Sequence, residues 1–218
     1  MTAPVAAWVD DPFAEAVRTE RGPLWLRQDD GRRIRLDIER WCAPAAGADH
    51  SLLRRCSVLN APVVDLGCGP GRLVAALLAL GVPALGIDIT GAAVARTCRL
   101  GGLALRRSVF QRLPAEGRWG GVLLADGNLG IGGDPDALLH RSAELLAPNG
   151  LLLVEVDRHE LDDRLIVRLE GPDGRLGPPF PWARLGAAAA VRRARGAGLA
   201  EAERWSSHGR RFLALRRA

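Results

Sequence analysis

The sequence contains no lysine, so all 30 of its basic residues are arginine. An arginine bias of this kind follows from GC-rich codon usage, and it raises the isoelectric point to about 10.0 without requiring a polyanionic partner. Acidic residues are interleaved with the arginines through most of the chain, and no basic stripe alternates with aromatic residues as single-stranded nucleic acid requires. These features argue against a nucleic-acid partner and favour a solvated arginine surface.

Long apolar runs and paired cysteines are also missing. No run approaches the roughly 20 residues that a membrane helix needs, and the first residues lack the basic region and apolar core of a signal peptide. The four cysteines, Cys42, Cys56, Cys68 and Cys98, form no C-x-x-C pair. We therefore expect a cytoplasmic protein with reduced thiols, no membrane span and no metal site.

The segment that says most about function is 63–72, which reads VVDLGCGPGR. A buried strand ends near Asp65, and Gly67, Gly69 and Gly71 then alternate before an apolar run that begins a helix. Glycine at every second position allows positive φ and lets a ligand approach the main chain closely. A strand, a glycine turn and a helix N-terminus together predict a nucleotide-type site. A dinucleotide fingerprint would need glycine where Arg72 stands, so an NAD-dependent oxidoreductase is disfavoured.

The spacing Asp-x-Gly-x-Gly-x-Gly from Asp65 resembles the first motif of class I S-adenosylmethionine-dependent methyltransferases. Two later segments are similar to that family in the same register. Residues 82–89 resemble its second strand, which ends in an acid, here Asp88. Residues 145–155 resemble the end of a helix, a turn and the fifth strand. The resemblance covers residues 58–157.

That resemblance implies S-adenosyl-L-methionine as the cofactor and a set of contacts around it. Asp88 would accept hydrogen bonds from the ribose hydroxyls. The family's adenine-binding acid is missing after the third strand, so Phe110 or Gln111 is the candidate there, and Phe110 is equally suited to a core position. The expected cofactor-binding residues are Asp65, Gly67, Cys68, Gly69, Gly71, Asp88, Ile89, Phe110 and Asp126.

Strand-helix alternation predicts an α/β fold with a doubly wound, mostly parallel seven-stranded sheet of the Rossmann-like type. The core strands are expected at 62–66, 84–88, 104–110, 119–125, 150–156, 200–206 and 211–215, and the helices at 71–80, 91–100, 135–146 and 187–197. Residues 58–218 would form this cofactor-binding core, and residues 1–57 an N-terminal cap or lid.

The flanks of the core carry weaker signals. In the cap we expect a helix at 11–18 capped by Asp11, a hairpin of strands 24–27 and 34–38, and a helix at 50–56 capped by Asp49. After the core, 164–169 is expected to be a strand and 177–182 a rigid loop. Trp25, Trp41 and Trp182 lie in these flanks, either as packing residues or as a wall of an apolar acceptor pocket.

No motif identifies a catalytic residue, because methyl transfer from a sulfonium depends mainly on positioning. The candidates are His50, Asp126, Asn128 and His159. Asp126 and Asn128 follow the fourth core strand, where amino-methyltransferases of nucleic acid and protein carry an Asn/Asp-Pro-Pro-aromatic motif that is absent here. Both residues also suit tight turns, and either histidine also suits an exposed structural position.

The sequence therefore predicts an S-adenosylmethionine-dependent methyltransferase acting on a small-molecule acceptor. One alternative is a methyltransferase of RNA or protein, which salt-dependent nucleic-acid binding would reveal. A second alternative is a non-catalytic protein that binds S-adenosylmethionine for regulation or scaffolding, because no general base is evident.

Overall fold

Eleven strands and seven α-helices are present among residues 12–217, which are the residues that the computed structural model describes. The strands are β1 (Leu24–Gln28), β2 (Arg33–Leu36), β3 (Val63–Leu66), β4 (Ala84–Asp88), β5 (Leu103–Arg106), β6 (Trp119–Leu124), β7 (Leu146–Val156), β8 (Asp162–Glu170), β9 (Phe180–Leu185), β10 (Leu199–Ser207) and β11 (Arg210–Arg217). The helices are α1 (Pro12–Thr19), α2 (Ile38–Cys42), α3 (Asp49–Ser57), α4 (Arg72–Ala79), α5 (Gly91–Arg99), α6 (Pro135–Leu145) and α7 (Ala187–Gly196). Within the same residues, none of the helices is long and apolar enough to cross a membrane.

Seven strands form one sheet in the order β10-β11-β7-β6-β3-β4-β5. The five strands β3 to β7 are parallel to one another, and β11 pairs antiparallel with both β7 and β10. Parallel strands joined by helices bury both faces of a sheet. The predicted seven-stranded, mostly parallel Rossmann-like sheet is therefore confirmed.

Side chains that alternate along the strands supply two apolar cores. Val63 and Leu123 face the layer formed by α3 and α4. Val64 and Val122, one residue away, face the layer formed by α6 and α7. Because successive strand residues point to opposite faces, the near-continuous apolar runs of β3 and β6 fill both layers.

A second sheet joins the two flanks of the chain. Its four strands are antiparallel in the order β2-β1-β8-β9, so the hairpin near the N-terminus pairs with a strand from beyond residue 160. The apolar faces of this sheet and of α1 and α2 enclose a third core, which includes Phe13, Leu24, Ile38 and Phe180. We call the four-stranded sheet of β1, β2, β8 and β9 the small sheet. The division into a cap at 1–57 and a core at 58–218 stays a prediction.

Several sequence-based boundaries need correction. The third core strand ends at Arg106 and not at residue 110, because Gln111 accepts a hydrogen bond from the Ser108 amide in a turn. The segment predicted as a rigid loop at 177–182 contains the start of β9, which pairs with β8. The hairpin strand predicted to reach residue 38 ends at Leu36 and is followed by α2.

The predicted helix caps have different outcomes. Asp49 does not cap α3: it lies inside that helix, the residue at the cap position is Ala48, and the Asp49 carboxylate binds Arg72 instead. A buried guanidinium in reach is a stronger partner for that carboxylate than a helix amide. The predicted cap Asp11 lies outside the described residues.

Candidate functional site

The glycine turn between β3 and α4 takes the backbone through positive φ at all three glycines. The φ values are +75° at Gly67, +52° at Gly69 and +88° at Gly71. A Cβ atom at Gly67 would lie 2.8 Å from the side chain of Asn128, and one at Gly71 would lie 2.7 Å from the Cβ of Thr97. A Cβ at Gly69 would meet no atom within 4 Å. Two glycines are thus required by packing, and the third borders open space.

Asp88, at the end of β4, fixes the turn from the neighbouring strand. Its carboxylate accepts hydrogen bonds from the backbone amides of Gly69 at 2.9 Å and Thr90 at 2.8 Å. Burial raises the pKa of this carboxyl above its usual range, although the two amide bonds act in the opposite direction. Each oxygen accepts one of these bonds and can accept another, so Asp88 is equipped to bind hydroxyl groups at the edge of the turn.

The cavity at the carboxyl ends of β3 and β4 collects most of the predicted cofactor-binding residues. Gly67, Cys68, Gly69, Asp88, Ile89, Phe110 and Asp126 all line it. Gly71 and Asp65 are outside the lining. Asp65 is fully buried, and burial, together with the nearby Asp126, Asp88 and Asp49 carboxylates, raises its pKa to about 7 against the opposing charge of Arg72. Burial likewise keeps the Cys68 thiol protonated by raising its pKa well above the usual value.

Asn128 is a structural partner of the glycine turn. Its amide nitrogen donates to the carbonyl oxygens of Leu66 at 3.0 Å and Gly67 at 2.7 Å. The rest of this glycine-rich loop supports β9, because a Cβ at Gly130 would lie 2.6 Å from the indole of Trp182. The loop after β6 therefore contacts the glycine turn on one side and the small sheet on the other.

Asp126 accepts hydrogen bonds from three guanidinium groups. They come from Arg72 at 2.6 Å, Arg40 at 2.9 Å and Arg210 at 2.9 Å. Burial alone would raise the pKa of the Asp126 carboxyl, but the positive charges of these arginines lower it overall. A carboxylate held in this way is a poor proton acceptor, so the geometry does not support Asp126 as a general base.

The same arginines continue the network to three further acids. Arg72 forms a two-pronged ion pair with Asp49 at 2.9 Å, and Arg210 binds both Asp49 at 2.7 Å and Glu155 at 2.6 Å. Arg40 binds Asp37 at 2.9 Å. We call the network of Asp37, Arg40, Asp49, Arg72, Asp126, Glu155 and Arg210 the buried charge cluster. Four carboxylates and three guanidiniums give it one net negative charge.

A second cavity lies beside the first, between the small sheet and the carboxyl ends of β6 and β7. The two cavities share a wall made by Leu36, Trp41, Asp126 and Trp182. Trp41 and Trp182 are two of the three tryptophans that the sequence offers for an acceptor pocket, and the structure brings both to this wall. The indole N–H of Trp41 is buried and forms no hydrogen bond with any described residue.

The structure does not bring the two candidate histidines to either cavity. His50 is exposed on α3, and His159 is exposed after β7, where its Nε2 accepts a hydrogen bond from Arg158 at 3.0 Å. Gln111 is also absent from the linings. Sequence reasoning missed the role of Arg72, although a charged residue directly after a glycine turn and before an apolar helix was a usable signal.

Residues 44–196 match the family model described as a methyltransferase domain. No curated protein matches the sequence significantly. The family match covers more than half of the chain and includes both the glycine turn and the loop after β6.

Solved methyltransferase structures share the fold. A SAM-dependent methyltransferase from Bacteroides fragilis, in complex with S-adenosyl-L-homocysteine, aligns with a TM-score of 0.76 over 97% of this chain and 93% of its own, at 18% identity. The 1,6-didemethyltoxoflavin-N1-methyltransferase of Burkholderia thailandensis aligns with a TM-score of 0.55 over 78% and 80% of the two chains, at 20% identity. The sugar N-methyltransferase KedS8 from Streptoalloteichus sp. gives a TM-score of 0.58 over 79% and 88%, at 17% identity. At identities this low, the structural alignments establish a common fold alone.

Proposed function

The chain belongs to the methyltransferase domain family as an S-adenosylmethionine-dependent enzyme, and from that premise we propose that it methylates a small-molecule acceptor held in the second cavity. The observation that carries the proposal is the wall shared by the two cavities. A donor in the first cavity and an acceptor in the second would meet where the two cavities adjoin, beside Leu36, Trp41, Asp126 and Trp182.

The first cavity fits S-adenosylmethionine in its open space and in its hydrogen-bonding groups. The space over Gly69 is open, and the Asp88 carboxylate beside it suits the two hydroxyls of a ribose. The half-exposed ring of Phe110 lines the same cavity and offers an apolar face to the adenine. When bound, this cofactor supplies a methyl group already activated on a sulfonium.

The second cavity has the surroundings of a small-molecule site. It is roofed by the small sheet, and its apolar lining includes Leu26, Leu129 and Val156 together with the two shared tryptophans. Apolar walls with a few polar groups are the usual surroundings of a small ligand. Two proteins of similar fold, the 1,6-didemethyltoxoflavin methyltransferase and the sugar N-methyltransferase, act on small molecules, as their names state. These facts support a small acceptor over RNA or protein.

Positioning would supply most of the rate in this arrangement. Asp126 is tied to three arginines, and neither His50 nor His159 lines a cavity. The tryptophans and the small sheet would exclude water and hold the acceptor in line with the methyl group. An acceptor atom that is already nucleophilic needs no further base from the protein.

A direct test combines binding with transfer. Calorimetry should show binding of S-adenosylhomocysteine and none of NAD. Isotopically labelled S-adenosylmethionine, incubated with a panel of small acceptors, total RNA and denatured protein, should label a small molecule. Transfer of label to RNA or protein in preference to every small molecule would overturn the acceptor proposal. Binding of S-adenosylhomocysteine without transfer to any of them would favour a non-catalytic role.

The matched variants for this test are Trp182→Ala and Trp25→Ala. Trp182 lies on the shared wall, whereas Trp25 is on β1 and outside both linings. We expect the Trp182 variant to raise the KM for the acceptor and, because Trp182 also lines the first cavity, to weaken S-adenosylhomocysteine binding to a smaller extent. The Trp25 variant should leave both unchanged.

A further inference from the structure

The second cavity carries arginines that its own acids do not neutralise. Its lining includes four carboxylates, and each is engaged in an internal ion pair. Asp37 binds Arg40, Asp157 binds Arg184 at 2.6 Å, and Asp126 and Glu155 both bind Arg210. The carboxylates of this lining therefore have little remaining capacity to attract a cationic acceptor.

Three further arginines of the same lining have weaker partners. Arg35 has Glu39 only at 4.0 Å, and Arg211 has Glu160 only at 3.8 Å. Arg158 donates to the imidazole nitrogen of His159, which is not a carboxylate. All three side chains are exposed. We call Arg35, Arg158 and Arg211 the mouth arginines.

The mouth arginines come from three separate segments of the chain. Arg35 lies on β2 of the small sheet, Arg158 follows β7, and Arg211 lies at the start of β11. Exposed guanidiniums on one sheet face or one helix are ordinary surface groups. Here three elements from two sheets bring them to one cavity whose interior is apolar at Leu26 and Val156.

We propose that the acceptor is an amphipathic anion, with an apolar body between the shared tryptophans and a carboxylate or phosphate bound by the mouth arginines. Guanidinium groups bind both anions through charge-assisted hydrogen bonds, often two at a time. This inference rests on the proposed function and deepens it, because it names the charge class of the acceptor. An amino sugar or another cationic acceptor would meet the same arginines unfavourably.

The test uses probes that share a naphthalene body and differ in the charge and kind of their polar group. Naphthoate and naphthyl phosphate are anionic, naphthamide is neutral and naphthylmethylamine is cationic. Their affinities are measured by calorimetry on the full chain, with and without saturating S-adenosylhomocysteine. We expect one of the anions to bind about tenfold more tightly than naphthamide, the factor that one added charge-assisted hydrogen bond provides. The amine should bind most weakly, and the two anionic probes distinguish carboxylate from phosphate.

Variants then assign the preference to the mouth arginines. In Arg35→Gln/Arg158→Gln/Arg211→Gln the advantage of the anion should fall to less than about twofold. The control Arg54→Gln removes an exposed arginine of α3 that lies outside both cavities, and it should keep the full advantage. Higher ionic strength should weaken anion binding by the parent and leave the triple variant unaffected.

The outcomes separate this inference from the proposed function. If neither anion binds better than naphthamide, or if the triple variant keeps the preference, the inference is wrong even when S-adenosylhomocysteine binds. If S-adenosylhomocysteine does not bind and the anion preference is present, the proposed function fails while the anion site stands.

Discussion

The two cavities are assembled over very different lengths of chain. We call the first cavity with the glycine turn the cofactor side, and the second cavity, which we propose holds the acceptor, the acceptor side. On the cofactor side, Asp88 reaches the Gly69 amide across 19 residues and the Thr90 amide across two. On the acceptor side, Arg40 reaches Asp126 across 86 residues, and Arg210 reaches Asp49 across 161. The first side is a local motif of strand, turn and helix. The second joins residues that lie far apart in the chain, so the two sides should respond differently to substitution.

The largest effect is expected where the two sides meet, at Arg72. Replacing it by methionine leaves Asp49 and Asp126 buried without their main cation, which costs about 3–5 kcal/mol of unfolding free energy. Urea unfolding followed by circular dichroism measures the loss. The matched control is Arg175→Met, which removes an ion pair with Asp173 at a site where the Arg175 side chain is 86% exposed, and should leave the unfolding free energy nearly unchanged. Equal losses would show that the buried charge cluster does not join the two sides.

The glycine turn divides into positions that serve the fold and one that serves the ligand. Gly71→Ala combines positive φ with a clash against Thr97 and should cost about 2–4 kcal/mol of stability. Gly69→Ala carries the backbone cost alone, about 1–2 kcal/mol, because its Cβ has open space. We propose that this space holds the cofactor, so Gly69→Ala should lose the larger share of S-adenosylhomocysteine affinity. Thermal unfolding and calorimetry on both variants check the division, and equal behaviour in the two assays would contradict it.

Asp88 should matter for the cofactor and not for the acceptor. Asp88→Ala removes a charged hydrogen-bond acceptor, and we expect a loss of about 1.5–3 kcal/mol in the free energy of S-adenosylhomocysteine binding. The acceptor-side counterpart is Asp157→Ala, which breaks an ion pair with Arg184 and should leave that affinity unchanged. Calorimetry on both variants, with circular dichroism to verify folding, measures the contrast. An unaltered affinity in a folded Asp88 variant would show that Asp88 does not bind the ribose.

The Asp65 carboxyl makes the stability of the fold depend on pH. Its pKa is about 7 in the folded chain and lower in the unfolded chain, so between about pH 4 and pH 7 the folded state holds a proton that the unfolded state has released. Stability from this group is therefore lost as pH rises through that window. Asp65→Asn removes the effect, and the variant should gain on the order of 2 kcal/mol relative to the parent between pH 5 and pH 8. Urea unfolding at both pH values tests the sign, and a relative loss at pH 8 would refute it.

The smallest stability effect is expected at Trp41, on the wall between the two sides. Trp41→Phe removes a buried N–H that has no partner among the described residues, so its cost from lost packing is offset and should stay below about 1 kcal/mol. Trp119→Phe is the matched control, because its indole donates to the carbonyl of Pro114 at 2.9 Å and that bond would be lost. Thermal unfolding should rank the Trp119 variant as the less stable. The reverse order would mean that the Trp41 indole contributes a bond.

The cofactor side is largely predictable because its signals are local. A strand that ends in Asp65, three alternating glycines and an acid one helix later are enough to predict the turn and the position of Asp88 beside it. The confirmed strands β3, β4 and β6 follow from apolar runs bounded by turns, which need no knowledge of distant partners. Errors on this side concern boundaries, as at the end of β5, where a turn replaces the expected strand.

The acceptor side is predictable in outline and not in detail. The tryptophans of the flanks suggest a wall for an acceptor, but the sequence predicts a loop where β9 forms and gives no expectation of α2. Proline at positions 178, 179 and 181 suggests a loop in sequence, yet β9 is an edge strand of the small sheet, where missing amides are tolerated. The candidate histidines illustrate the same limit, because residue type does not reveal which side chains a fold leaves in solvent.

The sequence by itself determined the glycine turn and the alternating burial of the core strands, because positive φ and strand periodicity are properties of adjacent residues. Only the tertiary structure decided that Arg72 is a buried cation, that Asp126 is held by three arginines and that Trp41 and Trp182 line both cavities. The energy of an ion pair or an apolar contact depends on burial and on distance in space. Burial and distance in space cannot be read from the sequence positions of residues that lie 86 or 161 positions apart.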